Sequence, residues 1–204
     1  MLAIFKREFK SYFQNVIGWL FVAALLAVYG LYFYVYNLKN GYPYISYDLN
    51  GIGFIMMIAV PILTMRSLSD EKKTKTDQLM LTSPVSVGRI VAGKYFAMAA
   101  VYTIDIALFA LSPLVLSIYG KVALSEAYVA LFGYWLYGLS CIAVGLFISS
   151  ISESVIISAI LTFAALFLSY MMQSITGLIS SSGNLLTKVL NCFDLYTPFE
   201  NFVS

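Results

Sequence analysis

"VIGWLFVAALLAVYGLYFYVYN", Val16 to Asn37, is uncharged from end to end. A helix rising about 1.5 Å per residue needs about 20 such residues to cross the hydrocarbon of a bilayer. The stretch is therefore a membrane span, and the rest of the chain repeats its character. Of 204 residues, 61% are hydrophobic and 11% charged, against about 25% charged in ordinary soluble domains. Four more apolar runs, at 50–66, 95–119, 127–149 and 154–179, make the chain an all-α polytopic bundle with five transmembrane helices. The second run opens on Gly51 and Gly53 and carries Pro61, which lacks an N–H and is expected to kink it. The first run is too long for a removable signal and has no small-residue cleavage site at its end.

Charge sets the orientation. Lys6, Arg7, Lys10, Arg66, Lys72, Lys73, Lys75, Arg89 and Lys94 fall on one side of the spans, and only Lys39, Lys121 and Lys188 on the other. Nine against three places the N-terminus and the 66–94 loop in the cytoplasm of a multi-pass cell-membrane protein. The net charge of +2 provides no chain-wide basic field, so nucleic acid is not an expected partner. In "MLAIFKREFKSYFQNV", Leu2, Phe5, Phe9, Tyr12, Phe13 and Val16 recur at steps of three and four, with Lys6, Lys10 and Gln14 on another face. Residues 1–15 read as an interfacial helix with its basic face toward anionic lipid. A plain extension of the first span stays open, because Gln14 and Asn15 are the only break.

"YGLYFYVYN" (Tyr29–Asn37) and "YPYISY" (Tyr42–Tyr47) gather aromatic rings at the outer end of the first span. They suit an aromatic belt at headgroup level or, alternatively, a sliding surface for a greasy substrate. Residues 180–204 form an extracytoplasmic segment in which Leu185, Leu186, Val189, Leu190 and Phe193 have the spacing of an amphipathic helix.

Catalytic chemistry finds little here. The chain has no histidine, hence neither the commonest metal ligand nor the usual general base. Cys141 and Cys192 lack companion ligands, so neither a zinc site nor a disulfide is expected. Cys141 stands at four-residue spacing from Gly145 and Ser149, a ridge of small side chains suited to close helix packing. "SVGRIVAGKY", Ser86 to Tyr95, approaches a phosphate loop but puts Tyr95 where a hydroxyl must hold Mg²⁺, and a membrane span follows it. Arg89 and Lys94 read instead as anchors of the third span. Asp105 is the one carboxylate deep in a span, about 15 Å beyond Tyr95 at helical rise. It must face protein or water, as an ion or substrate contact or as a hydrogen-bonded tie to a neighbouring span.

The segment with most to say is "RSLSDEKKTKTDQLMLTSPVSVGRIVAGK", residues 66–94, too charged to enter a membrane. Thr76 to Leu81 forms a short helix bounded by "TSP", since Ser83 before Pro84 is pushed out of helical angles. Leu79, Met80 and Leu81 sit beside Asp70, Glu71, Lys72, Lys73, Lys75 and Asp77. Such a mixture can dock into a partner's groove with a charged rim, or remain a solvated loop that only sets topology.

The run "DEKKTKTDQLMLTSPVSVGRIVAGKY" resembles the loop after the second span of ABC-2 type transporter permeases, in the branch of the gliding-motility and nitrous-oxide-reductase-maturation permeases. Glu71, Thr76, Leu79, Leu81, Ser83, Pro84, Gly93 and Lys94 match, while Lys75 stands where the family usually has glycine. "LFISSISESVIISAI", Leu146 to Ile160, is similar to the family's inner connection between the fourth and fifth spans. The resemblance implies an exporter permease with no catalytic residue of its own, coupled to separate cytoplasmic ATPase subunits that bind ATP and Mg²⁺. It also implies a second permease, as a homodimer or with a paralogue, and six spans, so that this chain is expected to stop before a sixth. The ATPase-coupling contact would comprise Asp70, Glu71, Lys72, Lys73, Thr76, Leu79 and Leu81. The alternatives are an ion- or proton-coupled secondary transporter using Asp105 and a non-transporting membrane assembly protein.

Overall fold

The computed structural model of the protein describes residues 2–73, 86–119, 122–179 and 194–203, and every regular element among them is helical. In chain order these are α1 (Leu2–Gln14), α2 (Val16–Phe33), a π-helical continuation (Tyr34–Lys39), α3 (Ser46–Thr64) and α4 (Ser69–Lys73). Then come α5 (Val87–Phe109), α6 (Ser112–Tyr119), α7 (Leu124–Ile151), α8 (Val155–Ile179) and α9 (Tyr196–Val203). Five stretches are long and apolar enough to cross a membrane: Val16–Lys39, Ser46–Lys73, Val87–Tyr119, Leu124–Ile151 and Val155–Met172. The all-α polytopic bundle read from the sequence is the architecture found.

α3 is the central helix, bordered by α2, α7 and α8. Its Leu49, Ile52, Met56, Met57, Val60 and Leu63 are completely buried, as a helix apolar on every face must be when other helices surround it. The small-residue ridge of α7 does what its spacing promised. A Cβ on Gly145 would come within 2.5 Å of the Thr64 hydroxyl, so only glycine lets α7 lie this close to α3. Cys141 is buried in the same ridge with a free thiol, and Cys192 lies outside the described residues.

The two ends of the bundle differ in chemistry. At the basic end α1 crosses the start of α5, with Ile4 against Gly93, and the Tyr12 hydroxyl reaches the Leu63 carbonyl at 3.4 Å. Asn15 is extended (φ −90°, ψ 155°), which makes α1 a separate helix and not a prolongation of the first span. At the aromatic end the first span closes on Gly41, whose positive φ of 72° turns the chain back toward α3. Tyr34, Tyr42, Tyr44 and Tyr47 are exposed around it.

Three boundaries differ from the sequence reading. The second span starts at Ser46 and not near residue 50, which draws Asp48 inside it. The third starts at Val87, so Gly88 through Lys94 are helical and form no loop of any kind. That span is also broken, at Ala110 and Leu111, and the cause is Pro113: with no N–H it cannot continue the ladder to the Phe109 carbonyl. The Ser112 hydroxyl takes that carbonyl instead, at 2.7 Å. Thr76, Leu79 and Leu81, and the amphipathic stretch 185–193, lie outside the described residues.

Candidate functional site

Three elements converge at the basic end on one side chain, Lys94. Seven residues into α5, it would be the start of a span by hydropathy, yet it is only 2% exposed. Its ammonium donates to Glu71 Oε1 at 2.6 Å and to the Ser67 carbonyl at 2.8 Å, and lies 3.6 Å from Glu8 Oε1. One cation thus ties α5 to α4, to the turn before α4 and to α1. Glu8 in turn accepts from Arg7 at 2.9 Å. A buried charge survives only when paired and hydrogen-bonded, and Lys94 is both.

The α4 arm is held from a second direction. Ser149, at the end of α7, accepts from the backbone N–H groups of Leu68 and Ser69, each at 3.2 Å. These are donors a helix start leaves without an internal partner. The Ser69 hydroxyl bonds back to the Met65 carbonyl. Beside the tie opens a polar cavity of about 560 Å³ whose walls include Arg7, Glu8, Arg66, Asp70, Glu71 and Lys94. Tyr12 also lines it, and burial, with the Glu8 carboxylate next in effect, pushes its phenol above the usual range.

Of the residues assigned to a coupling contact, Asp70 and Lys73 are exposed, while Glu71 and Lys72 are half-buried. Glu71 faces inward to Lys94. Lys94 itself is not the exposed anchor that the positive-charge pattern suggested; it is an internal ion-pair centre. Glu8, Ser67 and Ser149 were missed. The signal for Glu8 was available, as the one acid on an otherwise basic amphipathic helix.

Deeper in the bundle Asp105 is 0% exposed, as its position required. Neither of its carboxylate oxygens has a hydrogen-bond partner among the described residues, and the Tyr134 hydroxyl has none either. Tyr102, three residues before Asp105, donates to the Tyr134 carbonyl at 2.7 Å. Its ring fits because Gly138 has no Cβ; one there would stand 2.3 Å from the ring. The tie to hydroxyls on a neighbouring span, offered as one reading of Asp105, is absent among the described residues.

The family model described as ABC-2 family transporter protein matches residues 32–204. Comparison with curated proteins and with solved structures gives no match.

Proposed function

The chain belongs to the ABC-2 transporter family, and from that premise we propose that it is the permease subunit of an ABC exporter driven by separate cytoplasmic ATPase subunits. In this reading those subunits bind ATP and Mg²⁺, a second permease completes the path, and the basic end faces the cytoplasm of the cell membrane. The observation that carries it is the Lys94 tie. A displacement of the 66–85 segment reaches Glu71 and Ser67, and the Lys94 ammonium passes it directly to α5 and α1. Thr76, Leu79 and Leu81 meet the partner, Leu79 as the apolar anchor, with Asp70, Lys72 and Lys73 as the rim, while Glu71 works from inside the contact. Anchors of that kind are worth about 2 kcal/mol or more, rim charges much less. ATP acts by favouring one of two arrangements of the bundle over the other.

The test uses the purified complex of ATPase and permease. Leu79→Asp is expected to abolish substrate-stimulated hydrolysis while the permease stays inserted. Lys94→Met should leave the ATPase bound and hydrolysing at its basal rate, with transport lost. Coupling that survives both substitutions sinks the reading.

A second reading rests on Asp105, whose two carboxylate oxygens have no partner among the described residues: ion- or proton-coupled secondary transport. Transport driven by a pH gradient without ATP, and lost in Asp105→Asn, selects it.

A further inference from the structure

At the aromatic end two buried polar side chains meet between the first and second spans. Asn37, on the π-helical turn, is 5% exposed, and Asp48, in the first turn of α3, is 0% exposed. The Asn37 amide N–H donates to Asp48 Oδ2, the only hydrogen bond either side chain makes among the described residues. Beyond the second N–H of the Asn37 amide, what remains is acceptors. Asn37 Oδ1 and Asp48 Oδ1 are both buried without a donor among the described residues, and they belong to side chains already in contact through their other polar atoms. Asn50 Oδ1 is also unpartnered, but two residues further on it lies about 200° around the helix and is not counted.

Charge points the same way. Every ion pair among the described residues is at the basic end, on Glu8 or Glu71, and none of them involves Asp48. A buried carboxylate with one neutral hydrogen bond is poorly compensated. We propose that Asn37 and Asp48 form a binding site for a monovalent alkali cation, sodium in the first instance, which pins the first span to the second. The donor set is hard oxygen with a single carboxylate, whereas divalent calcium gathers six to eight oxygens, several of them carboxylates. The π-helical turn fits this role, since such turns inside helices recur at functional sites. The site does not depend on the transport reading.

The test is thermal unfolding of the purified full chain in sodium chloride against choline chloride at equal ionic strength. Sodium at about ten times its dissociation constant should raise the Tm by about 3–6 °C. Asp48→Asn should remove that shift, and Asn37→Ala should shrink it and serves as the test variant if Asp48→Asn does not fold. Equilibrium dialysis with radioactive sodium should find one ion per chain. A Tm indifferent to sodium overturns the proposal. So does a sodium shift that persists in both variants, or stabilisation by acid in place of sodium, which would put a proton where the cation was assigned.

Discussion

Lys94 shows how much one side chain can organise. Lys94→Met takes the ammonium away from Glu71 and Glu8, leaving Glu8 its bond from Arg7, and breaking a buried pair from one side costs about 3–5 kcal/mol. Unfolding in detergent should show that loss, and adding Glu71→Gln should return part of it by removing one of the two carboxylate charges around the lost ammonium. Tyr12 gives a prediction in pH. Its phenol is raised by burial, so the folded state holds the proton longer than the unfolded chain does. The stability this contributes is complete below about pH 10 and falls away as pH rises beyond it. Tyr12→Phe should flatten that alkaline loss, read as unfolding midpoint against pH. Glu71 stood out in the sequence, but its bond to Lys94 did not, because that partner stands 23 residues away beyond a boundary that hydropathy misplaced.

At the scale of elements, the contact between α3 and α7 depends on the absence of a side chain. Gly145→Val should destabilise by about 1–3 kcal/mol through overpacking. Gly145→Ala combined with Thr64→Ala should be milder than Gly145→Ala alone, since the Thr64 hydroxyl and methyl are the nearest obstacles. Unfolding in detergent reads both. The number of spans and the ridge on α7 were plain in the sequence because length and small-residue spacing are local properties. Helix ends were not. Hydropathy halts a span at a polar residue, whereas the chain stays helical when that residue finds a partner from elsewhere, as Asp48 does in Asn37 and Lys94 in Glu71.

Over the whole molecule, sidedness is open to direct measurement. Once Cys141 and Cys192 are replaced, a cysteine at Ser86 should be labelled from the cytoplasm and one at Tyr44 from the opposite side, both positions being exposed. The reverse pattern would invert the reading drawn from nine basic residues against three. The aromatic half of the interior is also shared between distant segments. Tyr196 and Phe199 of α9 pack on Tyr137, at ring separations of 5.9 and 5.2 Å, and Tyr196 meets Tyr170 at 4.6 Å. α9 thereby joins the fourth and fifth spans.

The break at Pro113 decides how far a twist can travel. An intact helix is a stiff shaft that would deliver torque from Lys94 to the far rim, but here the backbone ladder stops where the Ser112 hydroxyl replaces a main-chain donor. The third span is therefore a shaft with a slip joint. A rotation of α5 would meet the break just beyond Phe109, and α6, anchored through Ser112 to Tyr29, lies on its far side.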